Sequence, residues 1–157
     1  MKGTKGPFPA VAFNEMIAAN VMPPLVGTIS GEVTASKNGV PLGAARFGGK
    51  VSDVWLSVGG SGRDDSNTLT IAANVKINGT SCLTTQPVIA ANNGSASEQK
   101  TTKVTGDTGV TQAVINASAN SVTPGDVISC DWTVVRTATP TTEISNAMVF
   151  VEFEPAI

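Results

Sequence analysis

The chain has 157 residues, of which 41% are hydrophobic and 14% are charged, and its formal net charge is −2. This length suits one domain with a short appendage. The charged fraction lies below the roughly 25% of typical soluble proteins. No basic cluster predicts binding of nucleic acid, and no apolar run is long enough to predict a membrane span.

The first 24 residues differ in composition from the rest, since they hold four of the nine prolines. Asn14 is a candidate cap for a short helix over residues 15–21 that Pro23 would end. The sequence predicts an N-terminal arm, 1–24, joined to a β domain, 25–157. The arm either lies on its own domain or docks on a neighbouring subunit. Its candidate inter-subunit contacts are Phe8, Phe13, Met16 and Ile17.

A secretory signal is not expected, because prolines and polar residues interrupt the apolar part of the N-terminus. Without a signal, Cys82 and Cys130 are expected to be two reduced, partly buried thiols. A disulfide between them stays open, since two strands can bring distant cysteines together.

From residue 25 onward, strand patterns follow one another. Residues 54, 56 and 58 form one apolar face, and residues 69, 71, 73, 75 and 77 form another. Two later segments alternate in the same way, with residues 128, 130, 132 and 134 inward in one, and residues 149, 151 and 153 inward in the other. Four segments of this kind predict a largely antiparallel β protein.

Turn signals separate the strands. Asn38-Gly39 and Asn78-Gly79 each predict a tight hairpin turn, and residues 123–126 predict a further turn. Residues 92–109 form the longest polar stretch, which predicts an exposed, mobile loop. Residues 110–118 are a plausible short helix. The pattern amounts to about eight strands, as in an all-β sandwich or barrel.

Several kinds of catalytic site are excluded by composition. Histidine and tyrosine are absent, so the Ser-His-Asp and Cys-His arrangements and the common zinc sites are excluded. Asp107-Thr108-Gly109 matches the tripeptide of aspartic proteases, but it lies in a polar stretch and a plain turn is the preferred interpretation. We expect no catalytic residues, no cofactor and no metal, and therefore no enzyme.

Acidic residues suggest two other roles. Asp64 and Asp65 begin a run that can supply oxygen ligands to calcium, but it lacks the alternating spacing of a calcium loop, which favours a solvated turn. A glycosidase needs two carboxylates at a set separation in a cleft. Nothing in the sequence pairs the candidates, which are Asp53, Asp126, Asp131 and Glu143.

The two tryptophans are predicted to differ. Trp132 shares its face with Ile128 and Cys130, so it belongs to the core. Trp55 shares its face with Asp53 and Ser57, so it is expected to be at least partly exposed. An exposed Trp55 is a candidate contact for a glycan or for a neighbouring subunit.

Three segments, residues 53–89, 107–129 and 134–155, together resemble small β-sandwich virion proteins of tailed bacteriophages that decorate or cement the outside of the head. The resemblance covers roughly residues 50–155. It implies an antiparallel β-sandwich of the jelly-roll type, a homotrimer, and the major capsid protein as partner. It also implies a place on the capsid surface of the virion after synthesis in the host cytoplasm.

Two hypotheses of function follow from the sequence and this resemblance. The first is a structural virion protein that stabilises a capsid by bridging its subunits, with no nucleic-acid or membrane partner. The alternative is a carbohydrate- or receptor-binding sandwich of a phage fibre, a phage tail or a bacterial surface. Under the alternative, Trp55 and the loops at 60–67 and 92–109 would bind a glycan.

Overall fold

The computed structural model describes residues 22–66, 68–91, 97–136 and 139–156. Within these ranges the chain forms strands and no helix. The strands are β1 Leu25–Glu32, β2 Lys37–Ala44, β3 Gly49–Gly60, β4 Thr70–Ile77, β5 Thr80–Ser81, β6 Leu83–Thr85, β7 Val88–Ala90, β8 Lys100–Thr101, β9 Val110–Thr111, β10 Val114–Ile115, β11 Ser121–Val122, β12 Val127–Val135 and β13 Ser145–Pro155.

Two antiparallel sheets contain nearly all of these strands. The first sheet has the order β1-β13-β3-β11, with β8 also paired to β3. The second has the order β2-β12-β4-β7-β9, with β5 also paired to β4. The chain alternates between the two sheets from β1 to β4, and the first strands pair with the last ones, β1 with β13 and β2 with β12. This is the rolled connectivity of a jelly roll, so the predicted β-sandwich is confirmed.

The core lies between the two sheets and is supplied by the inward faces that the sequence pattern predicted. Ile71, Val75 and Trp132 on the second sheet are at most 1% exposed, as are Leu56 and Val149 on the first. The five apolar positions from residue 69 to residue 77 are all buried. Since strand side chains alternate between faces, the period of two was sufficient to identify this core.

The hairpin predicted at Asn38-Gly39 is wrong. These residues lie inside β2, at a shift in the register between β2 and β12. Gly39 has a φ of +64°, and its N–H donates to the Asp131 carboxylate at 2.7 Å. The pair therefore forms a β-bulge, because β1 and β2 belong to different sheets and have no hairpin to close.

The Asn-Gly pair at 78–79 does form a hairpin turn, between β4 and β5. Both residues have positive φ, 49° for Asn78 and 84° for Gly79, as the tight hairpin turn requires. The turn predicted at residues 123–126 is also present, and there the Thr123 N–H donates to the Asp126 carboxylate at 2.8 Å.

The short helix predicted at residues 110–118 is wrong, since this stretch contains β9 and β10. Its β-branched residues find strand partners in β7 and β6. These short strands also raise the strand count above the eight predicted.

The polar stretch at 92–109 is only partly the loop that was predicted. Residues 92–96 lie outside the described ranges, but β8 follows and pairs with β3. Lys100 and Thr102 are 3% and 1% exposed. The Thr102 N–H donates to the Leu56 carbonyl at 2.8 Å. The Thr102 hydroxyl accepts a hydrogen bond from the Leu56 N–H at 2.9 Å, and the Lys100 ammonium donates to the Ala90 carbonyl at 2.9 Å. Both buried polar side chains therefore have hydrogen-bond partners.

Of the predicted N-terminal arm, only residues 22–24 lie in the described ranges. Met22 is 4% exposed and joins the hydrophobic core. Its sulfur accepts a hydrogen bond from the Arg46 N–H at 3.3 Å. The end of the segment thus packs on its own domain. The proposed contact residues Phe8, Phe13, Met16 and Ile17, and the predicted helix over 15–21, lie outside the described residues.

Candidate interaction surface

The outward face of the first sheet carries a stacked pair of aromatic side chains. Trp55 on β3 and Phe150 on β13 lie directly opposite each other in the strand register. Their ring centroids are 4.9 Å apart and their planes differ by 8°. Both side chains are partly exposed, because their chain neighbours supply the buried face and strand side chains alternate. Trp55 therefore has the partial exposure that the sequence predicted.

Lys103 lies over the Trp55 ring, with its ammonium nitrogen 4.0 Å from the ring centroid. Because Phe150 already covers one face of the indole, the ammonium covers the other. This is a cation–π contact. With both faces of Trp55 covered, a sugar ring can stack on the indole only after Lys103 has moved away.

The same lysine neutralises two carboxylates. Asp53 and Glu152 are register partners on β3 and β13, and like charges directly opposite each other destabilise a sheet. Lys103 forms an ion pair with Asp53 and lies 3.9 Å from the Glu152 carboxylate. The hydrogen bond to Asp53, together with the two negative charges, raises the pKa of Lys103. The charged groups beside the aromatic pair therefore compensate one another.

Apolar side chains extend this surface on both sides of Phe150. Val26 on β1 is the register partner of Phe150 and is 47% exposed. Met148, two residues before Phe150, is 36% exposed. We call Val26, Trp55, Met148 and Phe150 the outer apolar patch. An exposed apolar patch among internally paired charges is typical of a surface that contacts another protein.

Two shallow depressions flank Met148 on this face. One, of about 300 Å³, is lined by residues of β3 and β8 together with Asp107. The other, of about 190 Å³, lies between β1 and the start of β13. Met148 thus forms a ridge between two hollows. A ridge between two hollows allows closer shape complementarity with a partner than a flat sheet does.

Asp107-Thr108-Gly109 lies in a turn beside the first depression. The Asp107 carboxylate accepts a hydrogen bond from the Thr101 N–H at 2.8 Å. The Lys100 ammonium donates to the carbonyls of Thr108 and Ala90, at 2.7 and 2.9 Å. Burial lowers the pKa of this lysine. The tripeptide is thereby held against β7 and β8, which agrees with the plain-turn interpretation.

Asp64 is a structural carboxylate within its loop. It is 3% exposed and accepts hydrogen bonds from the backbone and hydroxyl of Ser66, from those of Thr68, and from the Leu69 N–H. The bond from the Ser66 hydroxyl contributes most to lowering the pKa of Asp64 far below its usual range. Because protein donors occupy both oxygens, the turn interpretation fits better than a calcium site.

The other candidate acids are separately engaged. Asp126 accepts hydrogen bonds from Thr123 and Asn78, which lower its pKa. Asp131 pairs with Lys76, and that pairing lowers its pKa. Glu143 pairs with Arg136. In the part of the chain that the structure describes, no three acidic or cysteine side chains lie close enough together to hold a metal ion.

Cys82 and Cys130 are both free and fully buried. Cys130 on β12 lies beside Val75 of β4 on one side, and Cys82, just after β5, lies beside it on the other. Two strand spacings, roughly 9–10 Å, exceed the Cα separation of about 7 Å that a disulfide can bridge. Burial raises the pKa of the Cys82 thiol to about 11 and that of Cys130 to about 12. The expectation of two reduced thiols is confirmed for this structure.

Sequence reasoning missed three members of this surface, Lys103, Met148 and Val26. The outward position of Phe150 was visible in the alternation of its strand. Its pairing with Trp55 was not, because alternation carries no information on which strands are neighbours.

Comparison with known proteins adds no family. No protein-family model matches the chain, and no curated protein matches it significantly. Among the described residues there is no helix long and apolar enough to cross a membrane.

Proposed function

We propose that this protein is a structural virion component that decorates a bacteriophage capsid and stabilises it by bridging subunits of the major capsid protein. The observation that carries the proposal is the outer apolar patch on the first sheet, with Trp55 stacked on Phe150 and covered by Lys103. It offers apolar contact area at little cost in side-chain entropy, since the stacked rings and the ion-paired lysine are already ordered.

Two further features support the proposal. The jelly roll is an architecture found in capsid proteins, although fold alone does not determine function. The likeness of residues 50–155 to phage head-decorating proteins points the same way. A protein of this kind needs many modest contacts multiplied by symmetry, and no reactive group.

In this proposal the protein is a homotrimer, and its first 21 residues tie neighbouring subunits together. Their apolar side chains, among them Phe8, Phe13, Met16 and Ile17, are the inter-subunit contacts. Met22 belongs to the domain, because it is buried in the core. A truncation that tests the arm should therefore remove residues 2–21 and retain Met22.

The test is co-sedimentation with phage heads that were assembled without this protein. We expect the wild-type protein to saturate the heads at a fixed number of copies and to raise their thermal stability. The double variant Trp55→Ser/Phe150→Ser should bind at least tenfold more weakly, since it removes the centre of the patch. The matched control Val135→Ser removes an exposed apolar side chain of β12, on the other sheet, and should bind normally.

Absence of saturable binding to heads by the wild-type protein would refute the decoration function. In that case the carbohydrate-binding alternative should be examined on a glycan array. There Lys103→Ala, which uncovers one face of the Trp55 ring, should increase binding if the indole is the sugar platform.

A further inference from the structure

The two long edge strands of the sandwich differ in how they are protected. The edge strand of the second sheet, β2, contains Pro41, two register shifts and Lys37 at its start. Proline, bulges and lysine are the usual devices that stop an edge from pairing with another chain. The remaining edge strands that the structure describes have two or three residues each; they are β5, β6, β8, β9, β10 and β11.

The edge strand of the first sheet, β1, has none of these devices over most of its length. Residues 25–31 contain no charge and no proline, and the register with β13 is regular from Leu25 to Ile29. A long, uncharged, regular edge can accept a further strand. Among the described strands, β1 is the one long edge with these properties.

The direction of each backbone group on β1 follows from the neighbouring strands. Leu56 on β3 exchanges hydrogen bonds with Thr102 beyond β8, at 2.9 and 2.8 Å. Its N–H and C=O therefore point away from β13. Because these groups alternate along an antiparallel strand, those of Trp55 and Ser57 point towards β13.

The same alternation continues across β13. Phe150 and Met148 are the register partners of Trp55 and Ser57, so their backbone groups point back to β3. The backbone N–H and C=O groups of Val149 and Ala147 then point towards β1, where Gly27 and Ile29 are their register partners. Gly27 and Ile29 are thus bonded to β13, and the N–H and C=O groups of their neighbours face the open edge.

The residues with open backbone groups are Val26, Thr28 and Ser30. No described residue forms a hydrogen bond to these backbone groups. Three donors and three acceptors in a row match an extended peptide, which binds by main-chain hydrogen bonds when it adds to a sheet edge.

We propose that residues 10–21 of a second copy of this chain add as a strand along the edge of β1. This proposal rests on the arm-linked homo-oligomer of the proposed function and names the site where the arm docks. The segment AVAFNEMIAANV contains no proline and no glycine and has one charged residue, Glu15. Its alanines, asparagines and Glu15 are weak strand formers, so main-chain hydrogen bonds to the edge, in place of the short helix expected from local sequence, would hold the segment as a strand. The segment brings almost no charge to the uncharged edge.

Chain geometry favours a second copy as the source. Met22 is buried beside Arg46, at the end of the sandwich where β1 begins, so residues 22–24 do not form the tight turn that would return the chain along its own β1. Twenty-one extended residues reach at most roughly 70 Å, whereas a domain of this size has a radius of gyration of about 15 Å. A donor-to-acceptor contact of this type is heterologous and can close into a ring of three.

The first test measures amide hydrogen exchange, residue by residue, on the unmutated protein and on the 2–21 deletion. In the full-length protein the N–H groups of Val26, Thr28 and Ser30 should exchange roughly 100-fold more slowly than in the deletion. Those of Gly27 and Ile29, already bonded to β13, should exchange equally in both. Equal exchange at Val26, Thr28 and Ser30 in the two proteins would overturn the proposal.

The second test measures absolute mass by light scattering. The full-length protein should have three times the 15.9 kDa of one chain, and the deletion should be monomeric. Thr28→Pro removes an N–H that faces the open edge and leaves the bonds to β13 intact, so it should be a folded monomer. Its matched control Thr28→Val keeps the N–H and should remain trimeric.

A synthetic peptide of residues 10–22 provides a direct probe of the edge. It should bind the 2–21 deletion and should not bind the same deletion carrying Thr28→Pro. Three results would refute the docking site. They are a deletion that is still trimeric, a full-length protein that is monomeric, and equal binding of the peptide to the deletion with and without Thr28→Pro. Trimers that form through β1 but do not bind heads would refute only the decoration function.

Discussion

Single charged side chains each hold several neighbouring groups in place. Lys103 is the clearest case, because one ammonium group covers the Trp55 ring and neutralises both Asp53 and Glu152. Asp64 is a second case, with a carboxylate whose hydrogen bonds organise the loop between β3 and β4. Both residues support predictions that can be checked on the purified domain.

Replacing Lys103 with alanine should lower the free energy of unfolding by about 0.5–1 kcal/mol at neutral pH, through loss of the cation–π contact and of the charge between the two carboxylates. Urea denaturation at pH 7 measures this loss. Lys50→Ala breaks an exposed pair with Glu154 and touches no ring, so it should cost less. Equal losses for the two variants would contradict this account of Lys103.

Stability should depend on pH through Asp64. Hydrogen bonds lower its pKa in the folded protein below the value of about 3.9 in the unfolded chain. Its stabilisation is therefore complete above about pH 4 and is lost as the pH falls towards the lowered folded-state pKa. Thermal melts between pH 2 and pH 6 should show this loss in the wild-type protein.

Asp64→Asn should lower the melting temperature at pH 6 by several degrees and flatten its decline between pH 4 and pH 2. An amide nitrogen cannot accept the hydrogen bonds of Thr68 and Leu69. Asp65→Asn is the matched control, because the Asp65 carboxylate is largely exposed and its one ion pair among the described residues is with Arg63. If the melting temperature of the Asp64 variant falls between pH 4 and pH 2 as steeply as that of the wild-type protein, the role given to this carboxylate is refuted.

At the scale of the element, identical dipeptides have different structures. Asn78-Gly79 closes a hairpin, whereas Asn38-Gly39 forms a bulge inside β2. The local preference for positive φ is met in both places, by Gly39 at +64° and by Gly79 at +84°. The difference lies in where the flanking strands lie. After Asn78-Gly79 the chain returns beside β4 as β5, whereas β1 and β2, on the two sides of the predicted Asn38-Gly39 turn, belong to different sheets.

The bulge leads to a prediction about glycine. Gly39→Ala should destabilise the protein by about 1 kcal/mol, because a Cβ is disfavoured at positive φ, although there is open space around this position. Gly106→Ala is the matched control, since that glycine also faces open space but lacks positive φ. Gly39→Asn should recover part of the loss. Equal stability of the two alanine variants in urea would show that φ is not the cause.

For the whole molecule, the jelly-roll connectivity determines which surfaces remain available. It places β1 and β2 at the open edges of their sheets and brings β3 and β13 together in the middle of the first sheet. The outer apolar patch and the unprotected edge of β1 therefore belong to the same sheet. Under the proposed function, the edge would serve assembly of the trimer and the face would contact the capsid.

The sequence by itself determined the class of fold and most of the core, because both depend on the alternation of side chains along each strand. Leu69, Ile71 and Trp132 were assigned to the interior from their spacing alone, and all are buried. The absence of histidine, a matter of composition alone, excluded several catalytic sites. These are local properties, and local pattern is sufficient to predict them.

Only the tertiary structure decided which strands are neighbours, and with them the candidate surface. Trp55 meets Phe150, and Lys103 meets Trp55, because of strand register and the path of the chain after β8. The polar residues 100–102 are partly or fully buried for the same reason, since their hydrogen-bond partners lie on β3 and β7. Alternation identifies the face on which a residue lies, but it carries no information about the residue that lies beside it.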